Sequence, residues 1–460
     1  MSTRLLVIGA DAAGMSGAHQ ALRTARRNGR DLEIVALESS DHTSYSACGI
    51  PYWVAGDVGS DQELVARTAK QHRDSGIDLR MRHEAVGLDL GSRKAQVRDH
   101  EGGRTYTVDF DEVLIATGAK ALMPTWADWT VSGAPTNVLA MKTLDDGATW
   151  RRLLAQSPKS ALVVGGGYIG VEAAETFARR GVSTVMVTRG PEPMNGSLVQ
   201  GISANVREGL ERAGVEVVTD VEVSAVGVSP DGQAKAACVG GHEFPADVVA
   251  VAIGVAPRVD LAVGAGLSVG GGGAGGALVP DDHQRVADGV WAAGDCAAVH
   301  DRLLGEPWFI PLGTHANKAG RVAGTNIGGG DACFPGVVGT AITRAGDVEV
   351  ARTGLLPSWA ERIGLDTAEV LLESTTTAGY MPQSAPMTVW VLGERGTGRL
   401  LGCQITGGAG AGKRIDIAAT ALFAGMSADD VANLDLAYAP PFSPVWDPVQ
   451  IACRKLAEQL

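Results

Sequence analysis

One cysteine in this chain stands where thiol chemistry could be done. Cys48 lies in the run Thr43-Ser44-Tyr45-Ser46-Ala47-Cys48-Gly49-Ile50-Pro51-Tyr52, ten residues after Glu38. The Gly-Ile-Pro that follows allows a helix to begin, and a helix N-terminus stabilises a thiolate. A lone cysteine without context is inert buried filler. What gives Cys48 a context is the nucleotide-binding pattern in front of it. The other five cysteines, Cys238, Cys296, Cys333, Cys403 and Cys453, are irregularly spaced and form no C-x-x-C, so neither a metal site nor a dithiol motif is signalled. Cys296 follows an acid at an expected helix start, but it reads as filler like the rest. Any second sulfur is therefore expected to arrive with a substrate and to react by thiol–disulfide exchange.

The pattern in front of Cys48 is Gly9-Ala10-Asp11-Ala12-Ala13-Gly14. It sits between a strand-like run, Arg4–Ile8, and a helical run to about Arg27. Leu32–Leu37 then reads as a second strand, ending in Glu38. The glycines permit a tight turn, the helix start offers free N–H groups to a pyrophosphate, and Glu38 is placed to accept from a ribose hydroxyl pair. Asp11 replaces the usual middle glycine. A second copy is complete: Gly165-Gly166-Gly167-Tyr168-Ile169-Gly170 follows the strand Ala161–Val164 and opens a helix to about Arg180. Its next strand, Ser183–Thr188, ends beside Arg189 rather than an acid. An acid there would hold the 2′-hydroxyl of NAD, whereas an arginine can pair with a 2′-phosphate. The reading leans towards NADPH over NADH. A third element, Val290-Trp291-Ala292-Ala293-Gly294-Asp295, gives a strand, a glycine and an acid that can hold a ribityl hydroxyl, before a helix aimed at a phosphate. Two dinucleotide units and this third element argue for a flavin dinucleotide as well as a nicotinamide one.

The elements that must position these groups follow an α/β plan. The chain has 460 residues, 62 of them glycine, so roughly two to four domains are expected. Val113–Ala119 and Val248–Gly254 read as strands leading into glycine turns, and Gly270–Gly276 as a surface loop. From about residue 331 the texture changes to strand-like runs (Val348–Thr353, Thr388–Leu392) and one apolar helix (Arg414–Phe423). A net charge of −13 argues against nucleic acid, which needs a basic surface. No apolar run reaches the 18 or so residues of a membrane span. The chain enters a strand directly after Met1-Ser2-Thr3, so no signal-peptide core is seen, and a cytoplasmic location is the expectation.

Together these residues resemble the pyridine nucleotide–disulfide oxidoreductases, and within them the single-cysteine branch of coenzyme A-disulfide reductases, with NADH oxidases, NADH peroxidases and persulfide reductases as relatives. The resemblance rests on Ser44–Tyr52, Gly165–Gly170, Ala292–Asp295 and Tyr438-Ala439-Pro440-Pro441-Phe442-Ser443-Pro444-Val445-Trp446-Asp447-Pro448. It implies an FAD-binding domain at 1–113 and 255–330, an NAD(P)H-binding domain at 114–254, both Rossmann-like, and a C-terminal α+β dimerisation domain at 331–460. The implied cofactor contacts are Gly9, Ala13, Gly14, Glu38, Ser39, Thr117, Gly118, Gly165, Gly167, Tyr168, Ile169, Gly170, Arg189, Gly254, Gly294, Asp295, Thr314 and Ala316. His315 is placed near the flavin by the same analogy. Substrate contacts fall on Ser16, Gln20, Arg23 and Ser44. Tyr438 and Tyr380 match tyrosines that a partner subunit of a homodimer extends towards the cysteine, where a phenol can assist a leaving thiolate.

The resemblance implies NAD(P)H-dependent reduction of a small disulfide or persulfide, coenzyme A disulfide foremost, through a mixed disulfide on Cys48. Oxidases and peroxidases of this group carry a histidine where this chain has Ala12, and alanine cannot donate a proton to a leaving oxygen. An oxidase or peroxidase cycling Cys48 through sulfenic acid stays as one alternative, and a flavin-based redox sensor as another. Ala47 and Trp446 depart from the pattern and leave the substrate open. His19 reads as a surface residue. The Arg23, Arg26, Arg27 and Arg30 cluster reads either as a phosphate contact or as a solvated helix end.

Overall fold

A computed structural model of the chain describes residues 2–127, 135–229, 232–273 and 276–460. Two sheets of the nucleotide-binding type, parallel but for one antiparallel edge strand in the first, form its first two bodies. In the first, Thr3–Ile8 runs between Leu32–Glu38 and Glu112–Ile115, Asp78–Met81 lies at one edge, and Val290–Ala292 then Arg285–Ala287 lie at the other. In the second, Ser160–Val164 lies between Ser183–Val187 and Val248–Val251, with Val215–Val218 and Val138–Leu139 outside them. Leu5–Ile8 and Ala161–Val164 are fully buried, as parallel strands covered on both faces must be. Each body also carries a three-stranded antiparallel sheet, His83–Asp109 in the first and Val223–Pro245 in the second. The third body is a five-stranded antiparallel sheet, Ala341–Gly407, packed against the helices Ile415–Ala424 and Pro448–Ala457. The fold is thus α/β with two Rossmann-like units and an α+β C-terminal domain.

The connections between the first two bodies differ from the sequence reading. Val113–Ala119 is not one strand. The strand stops at Ile115, Gly118 takes φ +69°, and Ala119–Ala121 pairs antiparallel with Val255–Pro257. Val248–Gly254 breaks in the same way after Val251, with Gly254 at φ +116°. The two crossings between bodies are therefore hydrogen-bonded to each other. The Gly270–Gly276 run is not a plain surface loop either, although residues 274–275 lie outside the described residues. Val269–Gly270 forms a hairpin with Ala277–Leu278, and Gly272 lies on Trp308, where a Cβ would sit 1.8 Å from the ring. Among the described residues no helix is long and apolar enough to cross a membrane.

The helix Ala12–Arg27, which opens from the first glycine turn, crosses the helix Gly313–Ile327 at very short range. A Cβ on Gly320 would lie 2.2 Å from the Ala13 carbonyl oxygen, and one on Gly324 would lie 2.1 Å from that of Gly17. Backbone cannot give way as a flexible side chain can. Gly324→Ala is therefore expected to destabilise the protein by about 1–3 kcal/mol through forced separation of the two helices. Gly264→Ala, where the methyl meets nothing within 4 Å, should be neutral. Thermal or denaturant unfolding of the two variants checks this, and equal melting points would refute it.

Candidate active site

Cys48 sits in a single 3₁₀ turn, Ala47–Gly49, that runs into the short helix Ile50–Ala55. Four outside segments hold this strip. Leu64–Ala66 pairs with it along the backbone: Ser46 N–H donates to Leu64 O at 2.8 Å and Ala66 N–H to Ser44 O at 2.8 Å. The Tyr45 N–H donates to the Asp11 carboxylate at 3.2 Å, tying the strip to the first glycine turn. From the second body, the Thr176 hydroxyl donates to Pro51 O at 3.2 Å and Arg151 to Trp53 O at 2.8 Å. Gly147 lets the Leu144–Leu154 helix approach the Ile50 and Trp53 side chains, which a Cβ there would strike. Cys48 is thus fixed from both nucleotide-binding bodies, and it opens into a cavity of about 3800 Å³ that reaches both glycine turns.

The electrostatics of the thiol correct the sequence expectation. The turn and helix start are present, but the thiol is pushed up, not down. Burial of the sulfur is the main cause, followed by the carboxylates of Glu172 and Asp295, with Lys142 opposing them. A six-residue helix has little dipole to set against two acids. Lys142 lies 3.7 Å from Asp295. Burial raises both Asp295 and Glu172, and Glu172 accepts a hydrogen bond from Thr343 at 2.8 Å. Lys142 and Glu172 are site residues that no motif marked. Glu172 lies two residues past the glycine fingerprint, which ends at Gly170, and that position was the available signal.

The first cradle gathers most of the residues expected there. Gly9, Ala13, Glu38, Ser39, Thr117, Gly118, Gly294, Asp295, Thr314 and Ala316 all line the cavity. Gly9 takes φ +97°, and a Cβ on it would lie 2.2 Å from Ala116 O. Gly14 does not face the cavity. It lets the helix close onto the turn, since a Cβ there would lie 1.9 Å from Gly9 O. Glu38 accepts from Ala10 N–H at 3.0 Å and from Ser40 N–H at 2.9 Å. Asp11 rises to about 6, first through burial, although the Tyr45 N–H works against this; nearby Glu38 and Asp295 add to the rise. No helix follows Asp295 directly. A turn and the strand Val299–Asp301 intervene, and the helix that opens onto the cavity starts at Gly313. His315, in its first turn, is buried, with Nδ1 3.2 Å from the Ile310 carbonyl. Cys296 is buried, its thiol 3.4 Å from Ile115 O and Ala293 O, as expected of filler.

The second cradle repeats the first. Gly165 takes φ +111°, with a Cβ position 2.3 Å from Ala252 O, and Gly170 copies the packing role of Gly14. Gly165, Gly167, Tyr168, Ile169, Arg189 and Gly254 line the cavity, and Gly170 does not. The helices at Ala12, Tyr168 and Gly313 have no side-chain N-cap hydrogen bond, so their first-turn amides remain available to phosphate oxygens. Both cradles therefore fit a dinucleotide. Arg189 is well exposed and lies 3.5 Å from Glu222, an acid on the cavity wall that the sequence reading did not single out.

Of the expected substrate contacts, Ser16, Arg23 and Ser44 line the cavity and Gln20 does not. Gln20 turns to Thr24 at 3.1 Å and accepts from Arg23 at 2.7 Å. Ser16 donates to Asn317 at 2.6 Å. The arginine cluster disperses: Arg26 donates to Ser75 O and Arg30 to Ile327 O, which leaves Arg23 facing the cavity.

His19 is not a plain surface residue. Its Nε2 lies 2.9 Å from Arg67 Nη1 and 2.8 Å from His72 Nδ1, and the buried His72 places its Nε2 3.0 Å from Ser44 Oγ. Arginine can only donate, so His19 Nε2 accepts. His72 Nδ1–H then donates to it, and Ser44 donates to His72 Nε2. Both imidazoles are neutral, and both are depressed to about 4, first by burial.

Tyr380 and Tyr438 are not at the cavity of their own chain. They stand 75% and 46% exposed on the C-terminal domain, as do the exposed Phe442, Val445 and Trp446.

Comparison with known proteins places this arrangement. Residues 3–320 match the family described as pyridine nucleotide-disulphide oxidoreductase, and residues 341–448 match its dimerisation domain. The chain belongs to the pyridine nucleotide-disulphide oxidoreductase family. It is an FAD- and NAD(P)H-dependent oxidoreductase, and the two cradles are where those groups fit. It is 31% identical to the NAD(P)H coenzyme A polysulfide/persulfide reductase of Pyrococcus horikoshii over 99% of both chains. It is 29% identical to an NADH oxidase of Methanocaldococcus jannaschii, again over 99% of both. The solved NAD-dependent persulfide reductase of A. fulgidus superposes with a TM-score of 0.92 at 32% identity, covering 99% of this chain and 83% of that one.

Because Glu172 raises the Cys48 thiol and Lys142 lowers it, charge removal should move Cys48 reactivity in opposite directions. Glu172→Gln is expected to speed alkylation of Cys48 at pH 7.5 by about threefold or more, because a larger share of the thiol is then ionised. Lys142→Met should slow it. Peptide mass spectrometry after timed iodoacetamide treatment resolves Cys48 from the other cysteines. A shift of the same sign in both variants would refute the assignment.

Proposed function

We propose that the protein reduces the sulfur–sulfur bond of a small disulfide or persulfide with electrons from NAD(P)H, with coenzyme A disulfide as the foremost substrate. The observation that carries this reading is the place of Cys48. It is a free cysteine without a disulfide partner, fixed from both nucleotide bodies and open to the cavity that joins the two cradles. The family resemblance to reductases named for coenzyme A sulfur chemistry supports it.

Bound in the first cradle, FAD supplies two-electron transfer between nicotinamide and sulfur. The chain's own residues do the rest. The Cys48 thiolate attacks one sulfur of RSSR, forming a Cys48–SR bond as the RS–SR bond breaks, and the departing RS⁻ takes a proton. Two electrons originating in NAD(P)H then reduce the Cys48–SR bond and free the second thiol. The balance is NAD(P)H + H⁺ + RSSR → NAD(P)⁺ + 2 RSH. Arg23 and Ser16, on the cavity wall, are the polar groups placed to hold the substrate, and Ser44 keeps its lone pairs for the same side because its proton goes to His72. In this reading the chain is a homodimer, and the partner copy's phenols at positions 380 and 438 come to the thiolate. Ala12 offers no proton to a leaving hydroxide, which speaks against peroxide chemistry. The domain limits 1–113 with 255–330, 114–254 and 331–460 belong to the same proposal.

Cys48→Ser is expected to lower NAD(P)H-dependent coenzyme A disulfide reduction on the order of 10³-fold or more, while NAD(P)H still bleaches the bound flavin. Full disulfide turnover in that variant would sink the proposal. Oxygen or peroxide consumption faster than disulfide reduction in the unaltered protein would replace it with the oxidase reading.

For the nucleotide, the proposal keeps Arg189 as the 2′-phosphate partner and adds Glu222 as its rival. Arg189→Ala should lower the kcat/KM ratio of NADPH to NADH by about tenfold, the value of one charge-assisted hydrogen bond. Glu222→Gln should raise the ratio by removing a like charge from the phosphate. Steady-state kinetics with both nucleotides decides, and an unchanged ratio in both variants would remove the pair from nucleotide selection.

A further inference from the structure

A second cluster of chemically capable side chains lies where two loops of the first body meet, with Cys333 on the wall of the same cavity. One is the tight turn Asp281–Gln284, with Gln284 buried at φ +72°. The other is the segment Asp331–Phe334, which follows the helix Gly313–Ile327. Backbone and amide hydrogen bonds lock the two together. The Asn326 amide donates to His283 O at 2.9 Å and to Ala332 O at 2.8 Å, and accepts from Ala332 N–H at 2.7 Å. Phe334 N–H donates to Asp282 O at 2.7 Å. The side chains these loops present are therefore held by fixed backbone.

Those side chains are Cys333, His283, Asp282 and Asp331. His283 Nε2 lies 3.8 Å from Cys333 Sγ and 3.7 Å from Asp282 Oδ1. Ligand atoms from Cys333, His283 and Asp282 all lie within 4.8 Å of one another. In a tetrahedral site with metal–sulfur near 2.3 Å and metal–nitrogen or –oxygen near 2.0–2.2 Å, neighbouring ligand atoms stand about 3.3–3.6 Å apart. The distances from His283 Nε2 are within a few tenths of an ångström of that spacing, and because Cys333 Sγ also lies 4.0 Å from Nδ1, the ring turns on binding to aim Nε2 at the ion. The other ring nitrogen, Nδ1, faces Asp331 Oδ1 at 3.6 Å. A carboxylate on the far nitrogen is the usual outer partner of a metal-bound histidine, since it fixes the tautomer that leaves Nε2 free to coordinate. Charge points the same way. Among the described residues no lysine or arginine pairs with Asp282 or Asp331, whose only ion-pair partner is His283.

We propose that Cys333, His283 and Asp282 form a binding site for a zinc-class divalent ion, with Asp331 as the carboxylate orienting His283 and water completing the tetrahedron. A thiolate, an imidazole and a carboxylate select a borderline-soft ion such as zinc over magnesium or calcium, which take oxygen alone. Binding displaces the Cys333 thiol proton to solvent and joins the 281–284 turn to the 331–334 segment.

The flavin-loaded protein carrying Cys48→Ser removes the other reactive thiol from the measurement. Equilibrium dialysis against zinc should give one tightly held ion per chain, and X-ray absorption should show one sulfur with nitrogen and oxygen neighbours. Adding Cys333→Ala should abolish the sulfur neighbour and weaken zinc by at least about a hundredfold. Adding Asp331→Asn instead should keep the sulfur but weaken zinc by roughly 10- to 100-fold, the range for loss of an outer-sphere partner. All three ligands reach the surface, and melting points and flavin content should match across the variants. Failure to hold zinc stoichiometrically, or equal zinc affinity with and without Cys333, overturns the proposal.

Discussion

The site depends on one constraint: the short strip that carries Cys48 has no stability of its own and must be held from both sides. A 3₁₀ turn and a six-residue helix contain too few internal hydrogen bonds to persist alone. Leu64–Ala66 gives the strip a partner strand, Asp11 fixes its entry, and Thr176 and Arg151 fix its exit. The last two belong to helices of the second nucleotide body. The distance from the thiol to either cradle is therefore set by how those bodies pack, and the hydrogen-bonded crossing of Ala119–Ala121 over Val255–Pro257 restrains that packing.

The same packing explains why the thiol is not acidic on its own account. Asp11, Glu38, Asp295 and Glu172 converge on one cavity, where Lys142 opposes the rise of both Cys48 and Asp295. Three of these acids are raised by burial, which is the response of carboxylates that share too little water and too few partners. An environment of this sign favours a sulfur that is neutral or bonded to another sulfur over a free thiolate. That suits a cysteine that spends part of its cycle in a disulfide with a substrate.

Much of this was legible in the sequence, because the signals were local. A glycine turn between strand and helix is a short-range pattern. The structure shows why it cannot vary: at Gly9 and Gly165 alike, a Cβ would enter the carbonyl of the neighbouring strand. The fold class followed from such patterns and from the family resemblance. What was not legible depended on distant pairs. Val113–Ala119 looks continuous in β-propensity, but its last residues leave the sheet to pair with 255–257, more than 130 positions away. His19 looked exposed because its partners, Arg67 and His72, come from another segment. Lys142 and Glu222 belong to no motif, and only folding brings them to the cavity. The expected lowering of the thiol failed for the same reason: a helix start is visible in sequence, but the convergence of two acids on it is not.

The histidine pair shows how such distant contacts can shape a substrate surface. Arg67 fixes the lone pair of His19, which fixes the proton of His72, which fixes the direction of the Ser44 hydroxyl. Ser44 itself sits at φ +47°, a left-handed backbone position that its neighbours must hold in place. A hydroxyl bound in this way cannot rotate its proton towards the cavity without breaking a hydrogen bond to a buried ring. It therefore meets whatever binds there as an acceptor. Asn317, which already receives the Ser16 proton, lines the same cavity. A thiol-bearing substrate entering beside the first helix would find one oxygen committed to accepting hydrogen bonds and one arginine, Arg23, able only to donate. In the proposed reading, that pairing favours a ligand with both an N–H or O–H group and an anionic group along its length over a bare inorganic sulfur species.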